Sequence, residues 1–189
     1  MSRRARRRQA PVAVLTVCTG NICRSPLAEQ LLRSRFADDP RFEFGSAGLE
    51  AVAGAPMDPA AARQLVALGG DPAGLIGEQI GERHADAADL ILTMTRSQRD
   101  EVVRRFPRSV RRVFTLAEFS ALLDLDESQA ATADPRALIE EASRRRSEVR
   151  LGEADDVVDP IDAADEVHAR VASQVAGYVD AIAAGLGRS

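Results

Sequence analysis

The sequence predicts an α/β fold of three layers, α/β/α, around a central four-stranded parallel sheet, and three observations carry that expectation. Residues 12–17, VAVLTV, form an apolar, β-branched run of the length and composition of a strand buried on both faces. Further short strand-like runs recur at 41–44, 89–94 and 113–116, separated by segments of helical character, the alternation that builds a parallel sheet. The first run also passes through a short loop, CTGNICRS, into a segment with Leu27, Ala28, Leu31 and Leu32 at helical spacing. Strand, tight loop and helix therefore follow in direct succession.

Each remaining element has its own local reason. Pro26 suits a first helical turn, where a missing N–H costs nothing. The run at 41–44 ends in the turn-forming Gly45-Ser46-Ala47-Gly48, and Asp58-Pro59 caps and starts a helix reaching about Leu68, stopped by Gly69-Gly70. Residues 75–86 show no clear period. The strand at 89–94 leads to a helix over 97–106 closed by Pro107, and the strand at 113–116 leads to a helix over 117–123. Residues 124–156 begin acidic and Ala-rich and continue with Glu140 and Glu141 set four residues before Arg144 and Arg145, the pattern of a solvated helix. This reads as an inserted surface element, with Leu138, Ile139 and Val149 as a possible docking face. The last helix, about 163–186, carries Val167, Val171, Val175, Tyr178, Val179 and Ile182 at core spacing, with Asp162 and Asp165 as its caps.

The 189 residues are read as a single domain, 11–189, preceded by a basic tail over 1–10. Arg3, Arg4, Arg6, Arg7 and Arg8 hide an acidic remainder: the net charge is −4 with them and −9 without them. Such a tail cannot pack and reads as disordered and solvated, with no nucleic-acid partner expected. All 25 basic residues are Arg, which together with the abundant Ala looks like genomic codon bias. No apolar run reaches membrane-spanning length and no signal-peptide h-region opens the chain, so a cytoplasmic monomer with no stable membrane insertion is expected. Two cysteines five residues apart do not make a disulfide scaffold, and His84 and His168 lack metal-ligand companions. No metal or cofactor is expected.

The loop is where the chemistry gathers. A strand-to-helix turn aims the N–H groups of Thr19, Gly20, Asn21, Ile22, Cys23, Arg24 and Ser25 into one concavity at the positive end of a helix dipole, a ready anion site. Cys18, at the strand's end, lies where the dipole, the N–H groups and Arg24 all favour a thiolate, and a thiolate is a nucleophile. Arg24 can grip two equatorial oxygens with its planar fork, and Ser25 can donate its hydroxyl to the sulfur. This C-x5-R-S arrangement describes a phosphatase loop working through a phosphocysteine.

CTGNICRSP near the N-terminus resembles the signature of the low-molecular-weight protein tyrosine phosphatases. The likeness extends through SAGLEAVAGAPMDP (46–59), DLILTM (89–94) and VVDP (157–160), and SAGL and LILTM most resemble bacterial members associated with capsule and exopolysaccharide tyrosine kinases. The resemblance implies that Asp159, before Pro160, is the general acid, and that Ser46 bonds the Asn21 side chain to hold the loop. It implies a phosphotyrosine protein as substrate, with a tyrosine kinase of polysaccharide export as first candidate. Cys23 would be the redox partner of Cys18. Three departures stand out: Glu78 replaces the Arg of an A-R-Q element, Ile161 replaces the aromatic residue after D-P, and the loop 49–59 offers only Leu49, Val52 and Met57 as pocket wall. Arginine phosphatases of this family carry Thr where this chain has Ile22. Arsenate reductases share the loop, but those resolving through their own thiols need a cysteine pair that does not follow Cys23. A phosphoprotein-binding module without catalysis is a further alternative.

Overall fold

The computed structural model describes residues 10–125 and 134–187, so the arginine tail and part of the acidic run lie outside the described residues. Four parallel strands form one sheet in the order β2-β1-β3-β4, with β1 Val12–Cys18, β2 Phe42–Gly48, β3 Leu90–Thr93 and β4 Val113–Thr115. The helices are α1 Arg24–Arg35, α2 Pro59–Ala67, α3 Glu82–Ala87, α4 Arg96–Arg105, α5 Leu116–Asp124, α6 Pro135–Arg144 and α7 Asp165–Leu186.

The period of two along the strands builds the layers. Val12, Val14 and Cys18 of β1, Leu90 and Leu92 of β3, and Phe114 of β4 face one core, which α1, α5 and α7 complete. Leu15 and Val17, Ile91 and Val113 face a second core closed by Ile80, Ala85 of α3 and Val102 of α4. Both faces of the sheet are therefore covered, as an all-parallel sheet requires, and the three-layer arrangement expected from the sequence is present.

Boundaries moved where tertiary pairing outweighed local signals. β2 continues beyond residue 44 to Gly48, because it pairs with β1 along its whole length, from Val12 opposite Phe42 to Cys18 opposite Gly48. The glycines that read as a turn are strand residues. Gly48 allows the close approach of β1, since a Cβ there would lie 2.6 Å from the carbonyl oxygen of Thr19. At the other end of the chain Asp162 and Asp165 are not helix caps: Asp162 sits in a turn with φ 61°, the N-cap of α7 is Ala164, and Asp165 is the first helical residue, ion-paired with Arg63.

The segment read as a solvated insertion is half docked. Asp134 caps α6 by accepting the Arg136 N–H, and Leu138, Ile139 and Ala142 of that helix are buried in the larger core. Arg136 reaches the carbonyls of Ala10 and Pro11 and the carboxylate of Asp89, which ties α6 to the start of β1. Surface pairs at i,i+3 join Arg144 with Glu141 and Arg145 with Glu148. If α6 belongs to the core, Leu138→Ala is expected to lower stability by about 2–5 kcal/mol. Urea unfolding measures this; a loss within about 0.5 kcal/mol, the scale of a surface substitution, would place α6 outside the cooperative unit.

Candidate active site

The loop between β1 and α1 owes its shape to where its carbonyls go. The oxygens of Cys18, Thr19, Gly20 and Ile22 accept the N–H groups of Leu49, Glu50, Val52 and Asp58 at 2.9, 2.9, 3.0 and 2.7 Å. A trans peptide points its N–H opposite its C=O, so tying these four carbonyls outward turns the N–H groups of Thr19, Gly20, Asn21 and Cys23 inward. The Asn21 N–H accordingly points at the Cys18 sulfur, 3.3 Å away. The N-terminus of α1 has no side-chain cap on its orphan donors, and these face the same side. The result is a concave nest of donors around a cysteine sulfur.

Asn21 holds the curl. Its φ of 54° is left-handed, a conformation that Asn tolerates better than most residues. Its Oδ1 accepts the Glu78 N–H at 2.7 Å, which fixes the amide orientation, and its Nδ2 then donates to Ser25 Oγ and Ser46 Oγ, both at 2.9 Å. Because Ser25 Oγ accepts from Asn21, its own proton is free for Cys18 Sγ at 3.0 Å. Near Ser46 lies the buried carboxylate of Glu29. Burial raises the pKa of Glu29, while the bond from Ser46 and the charge of Arg33 oppose that shift. Gln98 supports the far side of the loop, donating to Thr19 Oγ1 at 3.0 Å and accepting the Met94 N–H at 3.1 Å.

Arg24 is the first residue of α1 and is 3% exposed. It donates through Nη1 to the Val157 carbonyl at 3.1 Å and through Nη2 to the Asp159 carboxylate, which is half exposed. Its buried Nε finds no acceptor among the described residues. Cys23 is buried beside the loop, and burial, with the nearby Cys18 adding to it, pushes its thiol up to about 12.

The structure thus brings Cys18, Asn21, Arg24, Ser25, Ser46 and Asp159, from three stretches of chain, into one site. Other expectations change. Leu49 and Met57 turn into the protein, so of the three aliphatic wall candidates only Val52 is exposed. Val157 is fully buried and anchors the segment before Asp159, whereas Val158, its neighbour, is exposed. Glu78 matters through its backbone: its N–H serves Asn21 and its carbonyl accepts the Gly48 N–H, so losing the usual Arg side chain leaves that support in place. Sequence reasoning missed Glu29 and Gln98. Glu29 falls one helical turn after Ser25, which hinted at a shared face; Gln98 could be found only once the sheet order placed β3 beside β1.

A cysteine sulfur seated among inward-facing amides at a helix N-terminus, with a buried arginine opening the same helix, is the arrangement of an anion site at a βα turn. The chain belongs to the low molecular weight phosphotyrosine protein phosphatase family, whose family model matches residues 13–188. A Ralstonia solanacearum protein described as "Probable low molecular weight protein-tyrosine-phosphatase EpsP" is 38% identical over 114 residues, 60% of this chain and 76% of that one. The protein-arginine-phosphatase of Geobacillus stearothermophilus is 36% identical over 116 residues, 61% of this chain and 76% of its own. Among solved structures, the YwlE arginine phosphatase from Geobacillus stearothermophilus aligns with a TM-score of 0.71 over 94% of both chains, at 28% identity. The tyrosine phosphatase Wzb from Escherichia coli K30, in complex with sulphate, shares the fold with a TM-score of 0.69 over 93% of this chain and 98% of that one, at 23% identity.

Replacing Asn21 by Ala would leave the Glu78 N–H without its acceptor and put in left-handed backbone a residue that tolerates it less well than Asn. Asn21→Ala is expected to cost about 2–4 kcal/mol of stability and to lower turnover roughly 10²-fold or more through lost loop geometry. Thermal melting and phosphatase assays check both; wild-type turnover would show that the curl holds itself.

Proposed function

We propose that this protein hydrolyses phosphotyrosine on proteins through a phosphocysteine on Cys18, without a metal or cofactor. The observation that carries the reading is the Cys18 sulfur lying within reach of the Asn21 N–H and the Ser25 hydroxyl, on the loop whose Arg24 is bonded to Asp159. The Cys18 thiolate attacks phosphorus; the S–P bond forms as the P–O bond breaks, and Asp159 gives its proton to the departing tyrosine oxygen. A water then attacks the phosphocysteine, Asp159 takes its proton, and the S–P electron pair returns to sulfur. Arg24 and the amides of Thr19 to Ser25 hold the equatorial oxygens throughout. The orphaned Nε of Arg24 suits this role, because a buried donor without an acceptor costs about 1–3 kcal/mol that an anionic oxygen would recover. Phosphoryl binding has to draw Arg24 Nη2 away from Asp159, and that exchange frees the acid for the leaving group.

Ile22 favours an aromatic ring over a guanidinium beside the loop, and it is half buried with Val52 close by over Gly20. Phosphoarginine is the second reading, supported by the likeness, in sequence and in structure, to arginine phosphatase of Geobacillus stearothermophilus. The exposed Val52, Val158 and Ile161 would line the mouth with aliphatic contacts where other members use rings. Cys23 would close a protective disulfide with an oxidised Cys18. Its protonated thiol makes that closure slow near neutral pH and faster as the pH rises, since the thiolate is the attacking form. The proposed setting is the cytoplasm, with a tyrosine kinase of polysaccharide export as first substrate candidate and the protein acting as a monomer. No helix of the described residues is long and apolar enough to cross a membrane.

The test offers phosphotyrosine, phosphoarginine and phosphoserine peptides side by side to wild type and Asp159→Asn. Phosphotyrosine should be hydrolysed fastest, and a tyrosine oxygen of pKa near ~10 needs the acid. Asp159→Asn is expected to slow it by roughly 10²–10⁴-fold while slowing an aryl phosphate of strongly acidic phenol much less. Equal losses on both aryl substrates, or a larger loss from Asp162→Asn, would mean that another carboxylate is the acid.

A further inference from the structure

Five aspartates crowd residues 155–165, and the structure sorts them. Asp155 accepts the N–H of Gly152 within its own turn, Asp162 is exposed in its left-handed turn, and Asp165 pairs with Arg63 on the surface. Asp156 is the one whose carboxylate takes a backbone N–H from another element. Its Oδ1 accepts the backbone N–H of Arg96 at 3.0 Å, and the same oxygen lies 3.5 Å from Arg96 Nε. Arg96 is the first residue of α4, so this N–H is one that the helix itself leaves unbonded, at the end that favours negative charge.

The fastening continues along the chain. Val157 donates its N–H to the Met94 carbonyl at 2.9 Å and offers its own carbonyl to Arg24 Nη1 at 3.1 Å. Two residues later comes Asp159, on Arg24 Nη2. Between α6 and α7 the chain has only short 3₁₀ turns, so no regular ladder sets the distance from Asp159 to Cys18. The bonds at 156 and 157 fasten the segment just before Asp159, and they are made to the β3–α4 turn, on the strand next to the one that carries Cys18.

We propose that Asp156 is the positioning residue of the general acid: its bond to the Arg96 N–H registers the segment 156–159 against the β3–α4 turn and so holds Asp159 over the phosphate loop. The proposal rests on the reading of Asp159 as the acid. Asp156 touches no reacting atom. Its effect must therefore appear only in steps that use Asp159, which separates it from a residue that merely stabilises the fold.

Two sides of the bond can be cut independently. Asp156→Ala removes the acceptor, whereas Asp156→Asn keeps an oxygen for the N–H and should restore most of the loss. Arg96→Pro removes the donor without touching the acid segment; proline is favoured at a first helical position, and Thr95 before it is already extended, with φ −135° and ψ 160°. Arg96→Ala, which keeps the N–H, is its control. Misplacing a catalytic group by about 1 Å can cost up to roughly 10²-fold. Asp156→Ala and Arg96→Pro are therefore expected to lose roughly 10–10²-fold on a phosphotyrosine peptide and to stay within about threefold of wild type on an aryl phosphate of strongly acidic phenol. Asp156→Ala combined with Asp159→Asn should be no slower than Asp159→Asn alone. Equal losses on the two substrates, additivity in the double variant, or Arg96→Pro matching Arg96→Ala would overturn the proposal. If Asp159→Asn itself does not discriminate between the substrates, the acid assignment fails first, and the proposal with it.

Discussion

The site depends on four outward-facing carbonyls. With the oxygens of Cys18, Thr19, Gly20 and Ile22 held by the backbone of the segment from Leu49 to Asp58, peptide planarity leaves the loop no choice but to present N–H groups to its centre. Those bonds in turn need β2 to lie flush against β1 up to Gly48, where any β-carbon would strike Thr19. The strand pairing is thus an electrostatic device as well as a scaffold. A second set of bonds, from Asn21 to Ser25, Ser46 and the Glu78 N–H, fixes which way each proton points and delivers one hydroxyl to the sulfur. Behind Ser46 the buried Glu29 pairs with Arg33 on the next turn of the same helix.

Much of this was legible before any coordinates. The β-branched run at 12–17, the helical spacing after Pro26 and the C-x5-R-S motif each report a local physical demand, and local demands are what sequence patterns record. The four strands and their sheet followed from the same kind of signal. What stayed hidden was non-local. The glycines of 45–48 carry a turn signature, and only pairing with β1 makes them strand. Leu49 and Met57 looked available to a pocket because exposure depends on which way a loop is pulled. The helix at 135–144 has the charge pattern of a solvated helix on one face and a buried apolar face, and its charges were the louder signal.

Asp159 illustrates how both kinds of information combine. Pro160 keeps it out of helical backbone, a local rule, whereas Asp165 opens α7. Its partner, Arg24, lies far away in sequence, and the contact arises because buried Val157 pins the segment under the β3–α4 turn. The departures from the family's usual aromatic positions, at Val52 and Ile161, are exposed, while Cys18 and Arg24 are buried. Such a division is expected when recognition and chemistry rest on different physics: apolar contacts tolerate exchange of one hydrophobic shape for another, whereas a nest of donors around a sulfur does not.

The central claim is that the phosphoryl group passes through the sulfur of Cys18. It is tested most directly by quenching the enzyme in mid-turnover of a radiolabelled phosphotyrosine peptide and locating the label by peptide mapping. The account predicts label on the peptide carrying Cys18, in a linkage absent from Cys18→Ser. Label on another residue, or turnover with no labelled protein while Cys18→Ser remains active, would contradict it.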